Sequence, residues 1–571
     1  MILRRGWVWC RQGALTLAAG CVACVGPRGI APGAGLRTIA YVVRPAVAAD
    51  RTNLVITMEF TGAASGTTTL ALPVDPFGTP RLFEEVTGFV VIGGAATTVA
   101  ERPSLRVVHH APGAALRVEY TVSFDVAASP NSSYRPSVSA EHFQFYGPQL
   151  LVHVANDSAP AAFSLSFAGV PAGWQVVTSL GEGVGPFIVR SDPSSFAPMI
   201  AGGRYAVRRG EVAGSHLVAA VQSVFPAADS VAERIVRLIR IEHDMLGGAM
   251  PPRFSVMVAD RDNGQVAGTQ IDDFFLALVD RRQPPVALDL LFAHEILHRW
   301  LGDGAYVIPP SSHDSLLSGT EWLNEGMTEY GARQILRSAG MMSERAYADK
   351  VNADLWELAR NAYRNATRDE VRAAIRTGRY MQDHKRLSYT KGPLMALAWD
   401  RALREKRSGG TVLSVIRDYI TRATANGGHA GANGFTDLLA AAGVPSAAAD
   451  VQRFVVDGDS IPVRADALGP SFVLVDSTRY RFSAGLDVSK SRQALLLVAV
   501  DPGGPAGRAG LATGMPIRSI TAATNVDQPM EVTLDSAGVA KTVRYLPLGE
   551  AMRVRQFRPV SPPVIPQPRT P

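Results

Sequence analysis

Two histidines and a glutamate fall within five residues, at His294-Glu295-Ile296-Leu297-His298. Positions i and i+4 of a helix lie on one face, one turn apart. A helix here therefore sets both imidazoles side by side, with Glu295 next to them. Neutral imidazoles at this spacing suit Zn²⁺, and the carboxylate can take a proton from a zinc-activated water. Leu290, Leu291, Ala293, Ile296 and Leu297 favour a helix, and Pro284-Pro285 is a natural break before it. The same residues also fit a buried structural helix whose histidines hydrogen-bond to backbone. A third ligand favours the metal. Trp322-Leu323-Asn324-Glu325-Gly326-Met327-Thr328-Glu329-Tyr330 reads as a second helix, with Glu325 flanked by apolar residues. An inward carboxylate is costly unless it is paired or metal-bound. Two His and one Glu leave a fourth tetrahedral position for water, as in catalytic rather than structural zinc sites.

These residues carry a family resemblance. His294-Glu295-x-x-His298-x-Trp300, followed by Trp322-Leu323-Asn324-Glu325-Gly326, resembles the gluzincin metallopeptidases. The 26 residues between His298 and Glu325 are more than the M1 aminopeptidases carry and resemble the M61 family, the glycyl aminopeptidases. Leu387-Ser388-Tyr389-Thr390-Lys391-Gly392 is similar to the Tyr-x-Lys-Gly segment whose tyrosine stabilises the oxyanion in the related M1 enzymes. Tyr389 follows Glu325 by 64 residues, close to that family's spacing. Val170 to Leu180 resembles a segment near the end of the M61 N-terminal β-domain, and the C-terminal stretch resembles a PDZ domain.

The resemblance and the chemistry together assign roles. His294, His298 and Glu325 are expected to hold one zinc per chain, and Glu295 to act as general base. Tyr389 is expected to donate a hydrogen bond to the developing oxyanion, a contribution of ~3 kcal/mol for such a donor. As an alternative, Tyr389 is a packed helix residue. Glu329, one turn beyond Glu325, is placed to accept the second N–H of a ligand histidine, or else lies on a solvated helix surface. His313-Asp314 in the long loop and Asn324 are weaker candidates.

Specificity is the less legible part. In the aminopeptidases a strand before the zinc helix contacts substrate, and a glutamate there grips the free N-terminus. M61 proteins carry Gly-Gly-Leu-Glu-His at that place; this chain has Val266-Ala267-Gly268-Thr269-Gln270-Ile271. Gly268 and Gln270 are therefore the expected substrate-binding residues. The neutral amide of Gln270 pairs less strongly with an ammonium than a carboxylate does. Asp272 and Asp273 are close enough to substitute.

The elements that must position these residues follow from the rest of the chain. At 571 residues it exceeds one core, and three or four domains are expected. A net charge of +6 with scattered basic residues and no Lys/Arg tract excludes nucleic acid as the expected partner. Arg4, Arg5 and Arg11 precede the short apolar run Gly13 to Val25, which reads as an export signal over residues 1–26. Leu17-Ala18-Ala19-Gly20-Cys21 resembles a bacterial lipobox, with Ala18 where Leu or Val is usual. Lipidation of Cys21 and membrane attachment are expected in the bacterial envelope. The alternative is a cleaved signal and a soluble periplasmic protein. Cys10, Cys21 and Cys24 all lie in this segment, which leaves no disulfide or cysteine ligand in the mature chain.

The expected fold class is multidomain α+β. Residues 27–205 form a β-sandwich-like domain, in which Leu54, Ile56, Met58 and Phe60 alternate as inward positions. Leu116, Val118, Tyr120, Val122 and Phe124 do the same. His109-His110 point to opposite strand faces and are poor co-ligands. Residues 206–460 form a thermolysin-like, mainly helical zinc peptidase domain. It has strands near Val218 to Phe225 and Arg253 to Val258, and helices at Ser343 to Arg360 and Leu394 to Lys406. The stretch from Ala423 to Asn433 reads as a loop. Residues 461–558 form a PDZ-like β domain that binds peptide ends, with a strand at Leu495 to Val500 and a short helix and turn over Pro505 to Gly514. Residues 559–571 are a Pro-rich tail. The chain is thus expected to be an exported zinc aminopeptidase acting on small N-terminal residues of peptides or proteins. The alternatives are a zinc endopeptidase, or a non-catalytic PDZ peptide binder with a decayed enzyme domain.

Overall fold

The computed structural model describes residues 36–560 apart from 48–51, 75–80, 124–135, 156, 158, 193–195, 262–265, 272, 304–319, 378–380, 407–409, 427–429 and 537. The export segment with Cys21, Asp272, His313, Asp314 and most of the Pro-rich tail lie outside the described residues. The chain divides into two units, residues 1–318 with 417–431, and residues 319–416 with 432–571. No described helix is long and apolar enough to cross a membrane.

The first unit begins with strands. A six-stranded sheet is centred on Thr38–Val47, Thr52–Thr61 and Ala115–Val122. The expected alternation appears directly in its register. Leu54, Ile56, Met58 and Phe60 pair with Val122, Tyr120, Val118 and Leu116, and all eight are buried. Because side chains alternate across a strand, this register sends one apolar set inward from both strands. Two buried hydroxyls, on Tyr41 and Tyr120, donate to the carbonyls of Val152 and Leu150 at 2.7 and 2.8 Å.

A second sheet positions the site. Its strands are β1 (Tyr205–Val212), β2 (Ser215–Gln222), β3 (Arg253–Asp260), β4 (Val266–Ile271) and β5 (Phe274–Val279), in spatial order β1-β2-β3-β5-β4. β2 and β3 are parallel, which requires a crossover, and helix α1 (Ala228–Leu246) makes it. β4 runs antiparallel to β5 and forms one edge of the sheet.

His142 lies in this unit among three polar partners. The Gln222 Oε1 accepts from the backbone N–H of Asp260 at 2.8 Å, so its Nε2 donates to His142 Nδ1 at 3.0 Å. His142 Nδ1 must therefore be unprotonated. Its Nε2 faces the Ser137 hydroxyl at 3.0 Å, and the Ser139 hydroxyl lies 2.8 Å from Nδ1. Burial, and secondarily the charge of Arg261, push this imidazole down to about 4. A depressed folded-state value means the unfolded chain binds the extra proton first, so stability is lost as pH falls from about 6.5 toward 4. We expect acid to cost this unit on the order of 2 kcal/mol through His142. Melting temperatures at pH 7.5 and 4.5 check this: His142→Asn should lose less between them than the wild-type chain does.

The second unit opens with helices α3 (Glu321–Asn324), α4 (Gly326–Ser338), α5 (Glu344–Arg360) and, further on, α6 (Met381–Glu405). Ser343 caps α5 by accepting from Ala346 N at 3.1 Å. α6 starts well before the expected Leu394 and runs through Pro393, which cannot donate to the Tyr389 carbonyl four residues back. The stretch 423–433, expected as loop, is helical at both ends, in Val412–Ala425 and Gly431–Ala442.

The unit ends in a two-stranded ribbon, Phe472–Phe482 with Leu548–Pro559, and a three-stranded sheet of Ile517–Thr521, Met530–Ser536 and Val539–Tyr545. Leu497, Ala506, Leu511, Ile517, Ile520, Met530 and Val532 pack into a small core. The expected strand at Leu495 to Val500 is not a regular one. Leu495 and Ala499 both take left-handed backbone angles (φ 52°), which interrupts extension, although Leu497 still exchanges two 2.8 Å hydrogen bonds with Met515 and Gly514. The expected short helix is present at Pro505–Arg508.

Candidate metal centre

Helix α2 (Pro285–His298) carries the histidine pair. It starts at a proline-proline step, as expected, and most of its length is buried. A π-helical turn, Arg299–Asp303, follows and brings Trp300 and Leu301 into the core. The Nε2 atoms of His294 and His298 lie 3.1 Å apart, with the rings edge-on at 84°. Four ligands around a zinc with bonds of ~2.05 Å sit roughly 3.3 Å from one another. The imidazole pair therefore already has the spacing a zinc imposes. The candidate ligand atoms of His294, His298 and Glu325 all lie within 4.8 Å of one another. Two imidazoles and one carboxylate suit zinc and leave a coordination position open.

Glu295 follows His294 on the same helix, and β4 passes against it. A Cβ built on Gly268 would fall 2.8 Å from the Glu295 Cγ and Cδ and 2.9 Å from Oε1. Only glycine lets the strand backbone come this close to the carboxylate. The expected substrate strand and the expected base are thus neighbours. Gln270 lies on the same strand, paired in register with Phe275. Asp273 lies just after it, 3.9 Å from Arg299.

Glu325 is 7% exposed and sits at the joint between α3 and α4. Helical hydrogen bonding continues through it: its N–H donates to Glu321 O at 2.8 Å, and its carbonyl accepts from Glu329 N at 2.9 Å. Trp322, stacked edge-on against Trp399 and Phe435, anchors α3. Gly326 and Gly392 bring α4 and α6 together backbone to backbone. A Cβ on Gly326 would meet Gly392 Cα at 2.6 Å, and one on Gly392 would meet Gly326 Cα at 2.4 Å. This crossing falls one residue after Glu325 and three after Tyr389, so it holds both on adjoining turns. Tyr389 is 38% exposed, so its ring reaches solvent rather than the helix core.

Glu329 is buried rather than on a solvated face. Its Oε1 accepts from Arg333 Nε at 3.1 Å and Nη2 at 2.7 Å, and Arg333 also pairs with Asp354. This buried network fixes α4 against α5. Asn324 Nδ2 lies a long 3.5 Å from Glu325 Oε1.

Sequence reading passed over three residues. The glycine pair Gly326–Gly392 gave no local sign, since each is ordinary until its partner helix is in place. Glu242 on α1 did give one. Its neighbours on the buried stripe are Ile235, Ile239 and Leu246, so a carboxylate stands where an apolar side chain is expected.

Residues 288–395 match the sequence model of the M61 glycyl aminopeptidases. No curated protein matches the chain. Among solved structures, an aminopeptidase N family protein from Idiomarina loihiensis is similar, with a TM-score of 0.61 at 15% identity over 91% of this chain and 98% of that one. An M1 zinc metallopeptidase from Deinococcus radiodurans matches at 17% identity over 75% of this chain and 94% of that one, with a TM-score of 0.42. The likeness to the first is one of fold, a strand-rich N-terminal region followed by a helical one. The M61 match spans both histidines, Glu325 and Tyr389, and supports a peptidase.

Proposed function

We propose that the protein is an exported zinc aminopeptidase that removes small residues such as Gly or Ala from peptide N-termini. The observation that carries this reading is the convergence of His294, His298 and Glu325, with Glu295 set against Gly268 of an edge strand. Zinc in this donor set supplies a Lewis acid and lowers the pKa of water. Glu295 takes the proton of the attacking water and passes it to the leaving amine. Tyr389 donates its hydroxyl proton in a hydrogen bond to the oxyanion. β4 lies at the edge of its sheet, where an extended peptide can add as a further strand. The C-terminal three-stranded sheet with its short Pro505–Arg508 helix would then be a PDZ-like module for peptide ends, and lipidated Cys21 would anchor the protein.

A second reading, an endopeptidase, is favoured by Gln270 in place of the amine-binding glutamate. The test uses two matched peptides that start with Gly or Ala, one free and one acetylated, with the zinc-loaded chain lacking residues 1–26. Cleavage of the free peptide alone is expected. Equal cleavage of both would replace the aminopeptidase with an endopeptidase. Cleavage of neither would refute catalysis and favour peptide binding.

A further inference from the structure

The second unit holds a cleft of about 650 Å³ between α5 and the two-stranded C-terminal ribbon. On the helix, Arg345, Asp349 and Asn352 follow one another at four and three residues and so share a face. On the ribbon, Gln556 pairs in register with Val475 and Arg479 with Met552, so Arg479, Gln556 and Arg558 share a face too. Asn352 fastens the two walls. Its Nδ2 donates to Phe557 O at 2.8 Å, and its Oδ1 accepts from Phe557 N at 2.6 Å. The cleft is therefore bounded by a helix and a strand held in fixed relation.

Its charge is one-sided. Three guanidiniums line it against one carboxylate, Asp349, which pairs with Arg345 at 3.2 Å. Arg479 lies over the Trp356 ring at 5.6 Å, and Arg558 Nη2 lies 3.4 Å from the Ser477 hydroxyl. Neither has an ion-pair partner among the described residues. A cleft lined by one sign of charge concentrates the opposite ion. Gln556 adds a second sign of a ligand. It is 7% exposed, and its Nε2 has no acceptor among the described residues. Val554, two residues back on the same face, is buried and apolar, so packing alone does not call for an amide. A buried N–H without an acceptor costs free energy that an oxygen seated beside it would return.

We propose that this cleft binds an organic oxyanion carrying two or more carboxylate or phosphate groups, held by Arg479, Arg558 and the Gln556 amide. The planar fork of a guanidinium matches the paired oxygens of both groups, and such charge-assisted bonds are strong. The volume suits a small molecule, since pockets for such ligands run to roughly 300–1,000 Å³. None of these residues belongs to the metal centre, so the proposal stands apart from the peptidase reading.

The experiment titrates the full chain calorimetrically with citrate and with pyrophosphate, with chloride at matched ionic strength as the control. At least one probe should bind, and more weakly as salt rises. The Arg479→Gln/Arg558→Gln double variant should lose tenfold or more in affinity. Gln556→Leu should lose severalfold while its melting temperature stays level or rises, which a purely structural amide would not allow. Arg558→Gln alone, at an exposed strand end, carries the test if the double variant does not fold. Tighter binding of citrate would identify a carboxylate ligand, and tighter binding of pyrophosphate a phosphate one. Heats no greater than those of chloride for both probes would overturn the proposal. Binding that survives the arginine substitutions would overturn it as well, because the anion would then sit elsewhere.

Discussion

Glu295→Gln should keep zinc at one equivalent per chain and lower kcat/KM by about a thousandfold, the scale of a lost general base. The amide has the shape of the carboxylate, so the contact with Gly268 and the packing of α2 survive. What it lacks is the ability to accept a proton from the attacking water. Glu325→Gln provides the contrast. That residue contributes the anionic ligand, and the amide is a far poorer donor to a dication, so zinc should be lost on dialysis together with activity. Elemental analysis of both dialysed variants, next to their turnover of a Gly-initiated peptide, separates the two roles. A Glu295→Gln enzyme within tenfold of wild type would mean that another group takes the proton. A Glu325→Gln enzyme that holds zinc as tightly as wild type would remove Glu325 from the ligand set.

The difference between these carboxylates was legible in the sequence because helix periodicity is local. An i, i+4 histidine pair can face one way only, and Glu295 is covalently next to it. The β-strand alternation from Leu54 to Phe60 was legible for the same reason, with a period of two in place of 3.6. What sequence did not yield depends on residues far apart in the chain. Gly326 and Gly392 are separated by 66 positions, and each acquires its purpose only where α4 and α6 touch. α6 begins at Met381, well before the expected Leu394, and runs through Pro393, where the buried Leu394, Met395 and Ala396 hold the helix despite the missing N–H. The strand expected at Leu495 to Val500 failed because apolar β-formers predict extension, and two left-handed residues interrupt it. Glu242 lies between these cases. Its position in an apolar stripe is visible in the sequence, but its complete burial without a hydrogen-bond partner is not.

Gly268→Ala should cost the enzyme tenfold to a hundredfold in kcat/KM while leaving folding and zinc binding almost untouched. The new methyl carbon would stand 2.8 Å from Glu295 Cγ and Cδ, where ordinary contact begins at 3.4 Å. The backbone of β4 is held by its pairing with β5, where Gly268 sits opposite Ala277. The strand therefore stays, and the flexible end of Glu295 gives way by about half an ångström. Stability hardly registers such a shift, because a carboxylate can rotate at little cost. Catalysis does, since a displacement of ~1 Å in a reacting group costs on the order of a hundredfold. Both histidines lie on the helix backbone behind Glu295 and are not displaced, so zinc affinity should match wild type. The informative combination is an unchanged melting temperature, unchanged zinc affinity and a depressed kcat. Full activity in Gly268→Ala would show that Glu295 tolerates displacement and is not the base. A matching loss of zinc would show that the methyl group disturbs α2 as a whole rather than one side chain.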